Sequence, residues 1–207
     1  MFALSLHLQK DNTSVSMDDT RKNMQVAVID ANDAIKEIVS GCIRNERVYQ
    51  QKLYKLYAGK LLGICFRYTK NKMESEDLCQ DAFVKIFNKL GSFNWDGSFE
   101  GWLKRITVNT VLEYFRKQKL QYQTIDETFE NTEQSAYNIF ERMGNYDAAL
   151  MMQQLPPATR VVFNLYTIEG YKHTEIAEQL NISEGTSKWH CANARKLLQA
   201  LAKNQKF

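Results

Sequence analysis

Two stretches of this chain carry side chains whose types and spacing suit contact with nucleic acid. In the first, Phe93, Trp95, Phe99 and Trp102 fall within ten residues, and Arg105, Asn109, Arg116 and Lys117 follow. Aromatic faces accept stacked or extruded bases, and cations beside them hold the phosphate backbone. Trp102 fits the apolar face of a helix and reads as core, whereas Phe93 and Trp95 sit in a Gly-flanked loop and read as functional. In the second stretch, Thr186, Ser187, Lys188, Trp189 and Asn193 are expected to face outward near the start of a long helix. Arg195 and Lys196 follow and suit phosphates. Short polar and basic side chains at a helix N-terminus are what a major-groove reader needs.

Catalytic chemistry finds no comparable footing. The chain has no HExxH, GxSxG or Walker pattern. The carboxylate pairs Glu76–Asp77 and Asp126–Glu127 lie in polar surroundings and read as caps and solvated charge. Cys42, Cys65, Cys79 and Cys191 are widely spaced and form no CxxC pair, so they resemble neither a disulfide framework nor a zinc site and point to a reducing cytoplasm. His190 and Cys191 are adjacent, so on a helix they point in different directions and chelate poorly. We therefore expect no metal site and no cofactor. No apolar run approaches the roughly 20 residues that a membrane helix requires.

The elements that must position these groups are helices. With two prolines and nine glycines in 207 residues, long stretches run without a breaker. From Ala34 to Lys117, Val48, Leu53, Leu56, Tyr57, Leu61, Ile64 and Cys65 recur at spacings of three and four. A break is expected at Lys70–Ser75, with Asn71 ending one helix and Ser75 capping the next. Leu78, Ala82, Phe83, Ile86, Phe87 and Leu90 then share one face, and Gly91 stops the helix. A further helix starts near Ser98 and runs to Lys117. The last segment opens with a helix near Tyr146–Gln154, interrupted at Leu155-Pro156-Pro157, and another over Ala158–Glu169 ends at Gly170. Thr174 caps a short helix carrying Ile176, Ala177 and Leu180. Asn181 takes a left-handed turn, and Ser183 caps the helix from Glu184 to Lys203. Helix, tight turn and longer helix together predict a helix-turn-helix at about Thr174–Lys203.

The chain thus reads as all-α, with two helical domains: a weakly ordered extension over 1–30, one domain over 31–117, a polar linker over 118–145, and the helix-turn-helix domain over 146–207. The net charge of +3 is unevenly spread, at −2 over residues 1–40, +6 over 41–117, −4 over 118–150 and +3 over 151–207. Two basic segments flanking an acidic one suit two phosphate-facing domains joined by a segment that DNA repels.

The order of these parts resembles the extracytoplasmic-function (ECF) sigma factors of bacterial RNA polymerase, in the sigma-70 family. Glu76-Asp77-Leu78-Cys79-Gln80-Asp81-Ala82-Phe83 is similar to the helix with which that family contacts core polymerase. Trp102-Leu103, Ile106, Asn109 and Arg116 resemble its next segment, and Leu155-Pro156-Pro157 to Lys196 resembles its C-terminal domain. The resemblance implies a non-enzymatic transcription initiation factor with core RNA polymerase and promoter DNA as partners. It also implies an anti-sigma factor, free or membrane-bound, and a cytoplasmic location. Glu76, Asp77, Gln80 and Asp81 would contact polymerase. Phe93, Trp95, Phe99, Arg105, Asn109, Glu113, Arg116 and Lys117 would serve the −10 element, where a base is flipped and the duplex melts. Thr186, Ser187, Lys188, Trp189, Asn193, Arg195 and Lys196 would serve the −35 element, and the linker would pass through the polymerase's active-site channel. Three positions depart from the family: Glu113 stands where Asp is usual, Trp189 where a small or polar residue is common, and Asn193 where Arg is frequent. The alternative is a stand-alone helix-turn-helix regulator, whose front half would be expected to show alternating strands and helices. A helical protein-interaction module is a third reading, but it would not need the aromatic loop and the basic helix together.

Overall fold

The computed structural model describes residues 32–118 and 150–204. The expected extension over 1–30 and almost all of the linker over 118–145 lie outside the described residues. Every regular element among the described residues is helical, so the all-α expectation holds. The chain divides into two compact units, one up to Gln50 and one from Gln51.

In the first unit, helix α1 covers residues 32–43. It ends in a turn in which Asn45 takes a left-handed φ of 60°. The Glu46 amide closes the turn on the Gly41 carbonyl at 3.0 Å. A Cβ on Gly41 would sit 2.2 Å from the Tyr49 ring, so only glycine lets the chain double back here. Tyr49 also donates to Glu37 at 2.9 Å.

Helix α2, Arg47–Tyr68, runs from there into the second unit. Its buried face is Leu53, Tyr57, Leu61, Ile64, Cys65 and Tyr68, spaced at three and four. Val48 and Leu56, expected in that repeat, are 63% and 52% exposed; they lie off the stripe that Leu53 and Tyr57 begin. Helix α3 is Lys72–Lys89 and helix α4 is Phe99–Lys117. The cap of α3 differs from expectation. Asn71 is the N-cap and accepts from the Glu74 amide at 2.7 Å. Ser75 is instead buried inside the helix, where its hydroxyl meets Thr69 and the Asn71 carbonyl. That contact with Thr69 explains why the serine is drawn inward and the asparagine caps. A 3-10 turn, Leu90–Ser92, follows α3, so the helix stops one residue before Leu90 rather than at Gly91. Ser98 caps α4 as expected, accepting from Gly101 at 3.2 Å.

Leu78, Ala82 and Ile86 of α3 and Leu103, Val111 and Leu112 of α4 fill the core they share with α2. Burial of each of these leucine, isoleucine and valine side chains contributes about 1.5–3 kcal/mol, and that of the Ala82 methyl less. Thr107 and Thr110 are buried too, and each satisfies its hydroxyl on a carbonyl one turn back, Leu103 and Ile106, at 2.9 Å. Polar ties reinforce the α3–α4 pair: Tyr114 donates to Glu74, and Lys85 to Glu113, both at 2.6 Å.

The C-terminal group begins with a short helical stretch at 150–153, followed by helix α5, Pro157–Thr167. Proline at the first helical position loses nothing, because that amide has no partner in the helix anyway. Gly170, at φ +77°, turns the chain after α5. Helix α6 is His173–Leu180 and helix α7 is Glu184–Asn204. Thr174 therefore lies inside α6 rather than capping it; the Glu175 carboxylate receives the Lys172 amide at 2.7 Å. Between α6 and α7, Asn181 adopts φ 54° and ψ 51°, the left-handed conformation expected of it. Ser183 accepts from the Thr186 amide at 2.9 Å and caps α7. Met151, Met152, Leu155, Phe163, Ala194 and Leu198 form one buried cluster that binds α5 to α7.

Candidate nucleic-acid and partner interfaces

The helix-turn-helix holds its two helices through a register visible in the core. Cys191, Ala194 and Leu198 of α7 are buried, and Ser187 lies one turn before them on the same face. Thr186 and Ser187, expected outward, are therefore inward-facing, at 2% and 0% exposure. The Thr186 hydroxyl meets the Ser183 cap at 2.8 Å, and Ser187 meets His173 Nδ1 at 2.9 Å. They fix the turn rather than present donors to solvent. Lys188 and Lys196 are exposed, and Trp189, Asn193 and Arg195 are half-buried. Lys188 pairs with Glu184 one turn back, at 2.7 Å. The Arg195 guanidinium lies 5.8 Å from the Tyr166 ring centre, and His173 stacks on Tyr166 at 4.1 Å. Neither Tyr166 nor His173 figured in the sequence reading of the interface. Behind this surface His190 is buried against Thr159 at 3.0 Å, and burial pulls its imidazole down from 6.5 to about 4.

The aromatic loop is one assembly of four rings. Phe93 lies at its centre, 5.0 Å from Trp95, 5.3 Å from Phe99 and 5.2 Å from Trp102. Trp95 stacks on Phe99 at 5.8 Å. Phe99 is 7% exposed and anchors the group, whereas Trp95 is 39% exposed and forms its outer wall. Trp102 is half-buried and belongs to this ring group as well as to α4. Trp95 holds a left-handed φ of 64°. A bulky residue there stores roughly 1–2 kcal/mol of backbone strain.

The aromatic group stands at the head of a polar stripe. On α4, Trp102, Arg105, Asn109, Glu113 and Arg116 recur at three and four. Arg105, Asn109, Arg116 and Lys117 are exposed. Glu113 receives Lys85 at 2.6 Å and Lys117 at 3.1 Å, and these two cations hold its carboxyl at about 2. Lys117 is thereby tethered along the helix, leaving Arg105 and Arg116 as the outward cations of the stripe.

The outer face of α3 is of another kind. Asp77, Gln80 and Asp81 are exposed, and Glu76 is half-buried and pairs with Lys72 at 3.6 Å. Met73 and Val84 bracket them on the same helical face, 72% and 59% exposed. This face thus combines exposed acidic and amide groups with two exposed apolar side chains and carries no outward cation between them.

Among the described residues no group of His, Cys, Asp and Glu is placed to hold a metal ion, and no helix is long and apolar enough to cross a membrane. All four cysteines are buried thiols.

The family description Sigma-70 region 2 matches residues 53–121, and Sigma-70, region 4 matches residues 147–198. The chain is similar to the ECF RNA polymerase sigma factor SigX of Bacillus subtilis, at 30% identity over 67% of this chain and 75% of that one. It is also similar to the ECF RNA polymerase sigma factor SigE of Mycolicibacterium smegmatis, at 28% identity over 72% of this chain; the chain spans 59% of that relative's length. A solved structure of the sigma factor RpoE with the anti-sigma factor NepR from Bartonella quintana aligns at a TM-score of 0.45 and 22% identity, over 75% of this chain and 98% of that one. With both sigma-70 regions present in order, the chain belongs to the ECF RNA polymerase sigma factors.

Proposed function

We propose that this protein directs core RNA polymerase to particular promoters and assists melting of the −10 element, with no reaction chemistry of its own. Its partners in this reading are core RNA polymerase, promoter DNA and an anti-sigma factor, and it works in the cytoplasm beside the polymerase. The observation that carries the reading is the continuity of the four-ring loop with the Arg105–Asn109–Arg116 stripe on α4. Stacking surface and phosphate ligands on one rigid element suit a single strand pulled from a duplex. Phe93 and Trp95 would bound the pocket for an extruded base, Phe99 would support it from beneath, and Asn109 would offer hydrogen bonds beside it.

The second DNA contact is α7. Lys188, Trp189 and Asn193 would face the bases of the −35 element, with Arg195 and Lys196 on phosphates; Thr186 and Ser187 would set the angle of the helix instead of touching bases. Trp189 cannot donate in bidentate fashion but can contact a thymine methyl, and Asn193 can pair with adenine. Polymerase would dock on α3 through Asp77, Gln80 and Asp81, with Glu76 at the edge and Met73 and Val84 supplying apolar area. The division into a polymerase and −10 domain over 31–117, an acidic linker over 118–145 and a −35 domain over 146–207 belongs to this reading.

The test is co-elution with core polymerase on gel filtration, set beside binding to duplex promoter DNA alone. A stable complex with polymerase and weak, unspecific binding to naked duplex are expected. Tight and specific duplex binding without polymerase would instead favour a stand-alone helix-turn-helix regulator.

A further inference from the structure

Helix α7 carries one guanidinium whose setting differs from that of its other cations. Arg195 lies seven residues after Lys188, so it stands on the same edge of the helix, two turns and about 10.5 Å further along. Lys188 is taken up by Glu184, and Lys196 is exposed. Arg195 is half-buried, yet among the described residues no carboxylate pairs with it and no carbonyl accepts from it. It rests instead against the Tyr166 ring, whose centre is 5.8 Å from Cζ. A guanidinium carries its N–H donors in a planar fork. Here the cation is held while that fork remains open to an outside acceptor.

Tyr166 is itself held. His173 stacks on it at 4.1 Å with the ring planes 11° apart, and two rings so close and so nearly parallel keep each other from tilting. His173 Nδ1 in turn meets the Ser187 hydroxyl at 2.9 Å, and Ser187 is buried. The contacts close a loop that begins and ends on α7. It runs from Ser187 to His173 of α6, then to Tyr166 of α5, then to Arg195. The helices that carry these side chains are fixed from behind by Phe163 of α5, Ile176 of α6, and Ala194 and Leu198 of α7, all buried.

Stability alone does not call for such a loop. A cation over a part-exposed ring adds little to it. A ligand contact gains more. A free arginine loses much rotamer freedom when it closes on a phosphate, and one already resting on a fixed ring loses less.

We propose that Tyr166 and His173 are positioning residues for Arg195, holding its guanidinium at the edge of α7 for a phosphate of the −35 duplex. The proposal rests on the promoter reading above, in which Arg195 meets phosphate. Neither ring touches DNA in this arrangement. Ser187, buried behind the reading face, acts on the duplex only through the two rings. Lys188 reads the groove, and Arg195, two turns later on the same edge, fixes the register of the helix on the backbone.

The experiment measures binding of a fluorescein-labelled duplex carrying the promoter of this protein's own operon. The full chain assembled with core polymerase is titrated by anisotropy across a series of salt concentrations. Arg195→Ala should lower affinity and reduce the slope of log K against log salt by about 0.9, the contribution of one phosphate. Tyr166→Leu and His173→Ala should each lower affinity roughly two- to tenfold, the cost of ordering one long side chain, and leave the slope nearly unchanged because the contact still forms. In an Arg195→Ala background neither should cost more than about twofold. Tyr166→Phe retains the ring and should rescue the loss seen with leucine. Circular dichroism melts of the free variants check folding, and His173→Ala carries the test if Tyr166→Leu does not fold. Parental affinity in both ring variants overturns the proposal. So does a loss that persists undiminished when Arg195 is alanine, because the rings would then act on DNA or on the fold. An Arg195→Ala chain with parental affinity and slope overturns it as well and leaves the promoter reading standing. A parent chain that binds the duplex no better with polymerase than without overturns the promoter reading, and this proposal with it.

Discussion

Trp95 offers a substitution in which stability and function should part company. Its ring is 39% exposed and touches Phe93 at 5.0 Å and Phe99 at 5.8 Å, and its backbone is left-handed at φ 64°. Replacing it with glycine removes two aromatic contacts, each worth about 0.5–1.5 kcal/mol when well buried and less at this exposure. The same change relieves roughly 1–2 kcal/mol of left-handed strain and adds about 0.5–1 kcal/mol of glycine entropy. Discounted for this exposure, the losses exceed the strain relieved by no more than about 2 kcal/mol, so Trp95→Gly should stay folded and unfold in denaturant within about 2 kcal/mol of the parent. Promoter opening should respond otherwise. A base stacked on an aromatic ring is worth about 1–3 kcal/mol, which lowers the open-complex equilibrium roughly 5- to 150-fold. Fluorescence of 2-aminopurine in the −10 element, followed with reconstituted polymerase, measures that quantity directly. A variant destabilised by more than about 2 kcal/mol that still opens promoters normally would refute the reasoning, because Trp95 would then be a piece of core.

The remaining expectations concern the other surfaces. Lys188→Ala should weaken −35-dependent binding of the polymerase complex by about 1–3 kcal/mol, measured against a duplex with a scrambled −35 element; an equal loss on both would make Lys188 a phosphate ligand. Asp81→Lys should lower affinity for core polymerase roughly tenfold or more by fluorescence anisotropy, through charge reversal on the exposed face of α3, and leave the melting curve of the free protein unchanged. His190 is buried and held neutral, its imidazole lowered from 6.5 to about 4. The unfolded chain therefore binds the extra proton first, and stability should fall as pH drops from about 6.5 toward 4. His190→Gln should flatten that part of the urea-midpoint profile, and an unchanged slope would contradict the assignment.

Much of the helical layout could be read from local signals. Ser98, Ser183, Asn181 and Gly170 act where their chemistry placed them, because caps and left-handed turns depend on a few neighbouring residues. Where two cap residues competed, the sequence was ambiguous. Asn71 and Ser75 both suit an N-cap, and the contact between Ser75 and Thr69 decided between them. The misplaced Thr186 and Ser187 have a similar origin. Their position at a helix start suggested exposure, but the face bearing Cys191, Ala194 and Leu198 continues back through Ser187. Following the 3.6-residue period from the apolar end of α7 would have found this. The ties between α2 and the C-terminal helices had no local signal. Gln153, Arg160, Asn164 and Glu169 meet residues 87 to 102 positions away, and each looks like an ordinary polar residue of its own helix.

The most direct test of the promoter reading is run-off transcription with core polymerase on a template carrying the promoter of this protein's own operon. The account predicts a defined transcript only when protein and polymerase are both present, lost on disruption of either the −10 or the −35 element. No transcript from a folded protein that binds duplex DNA specifically by itself would contradict it.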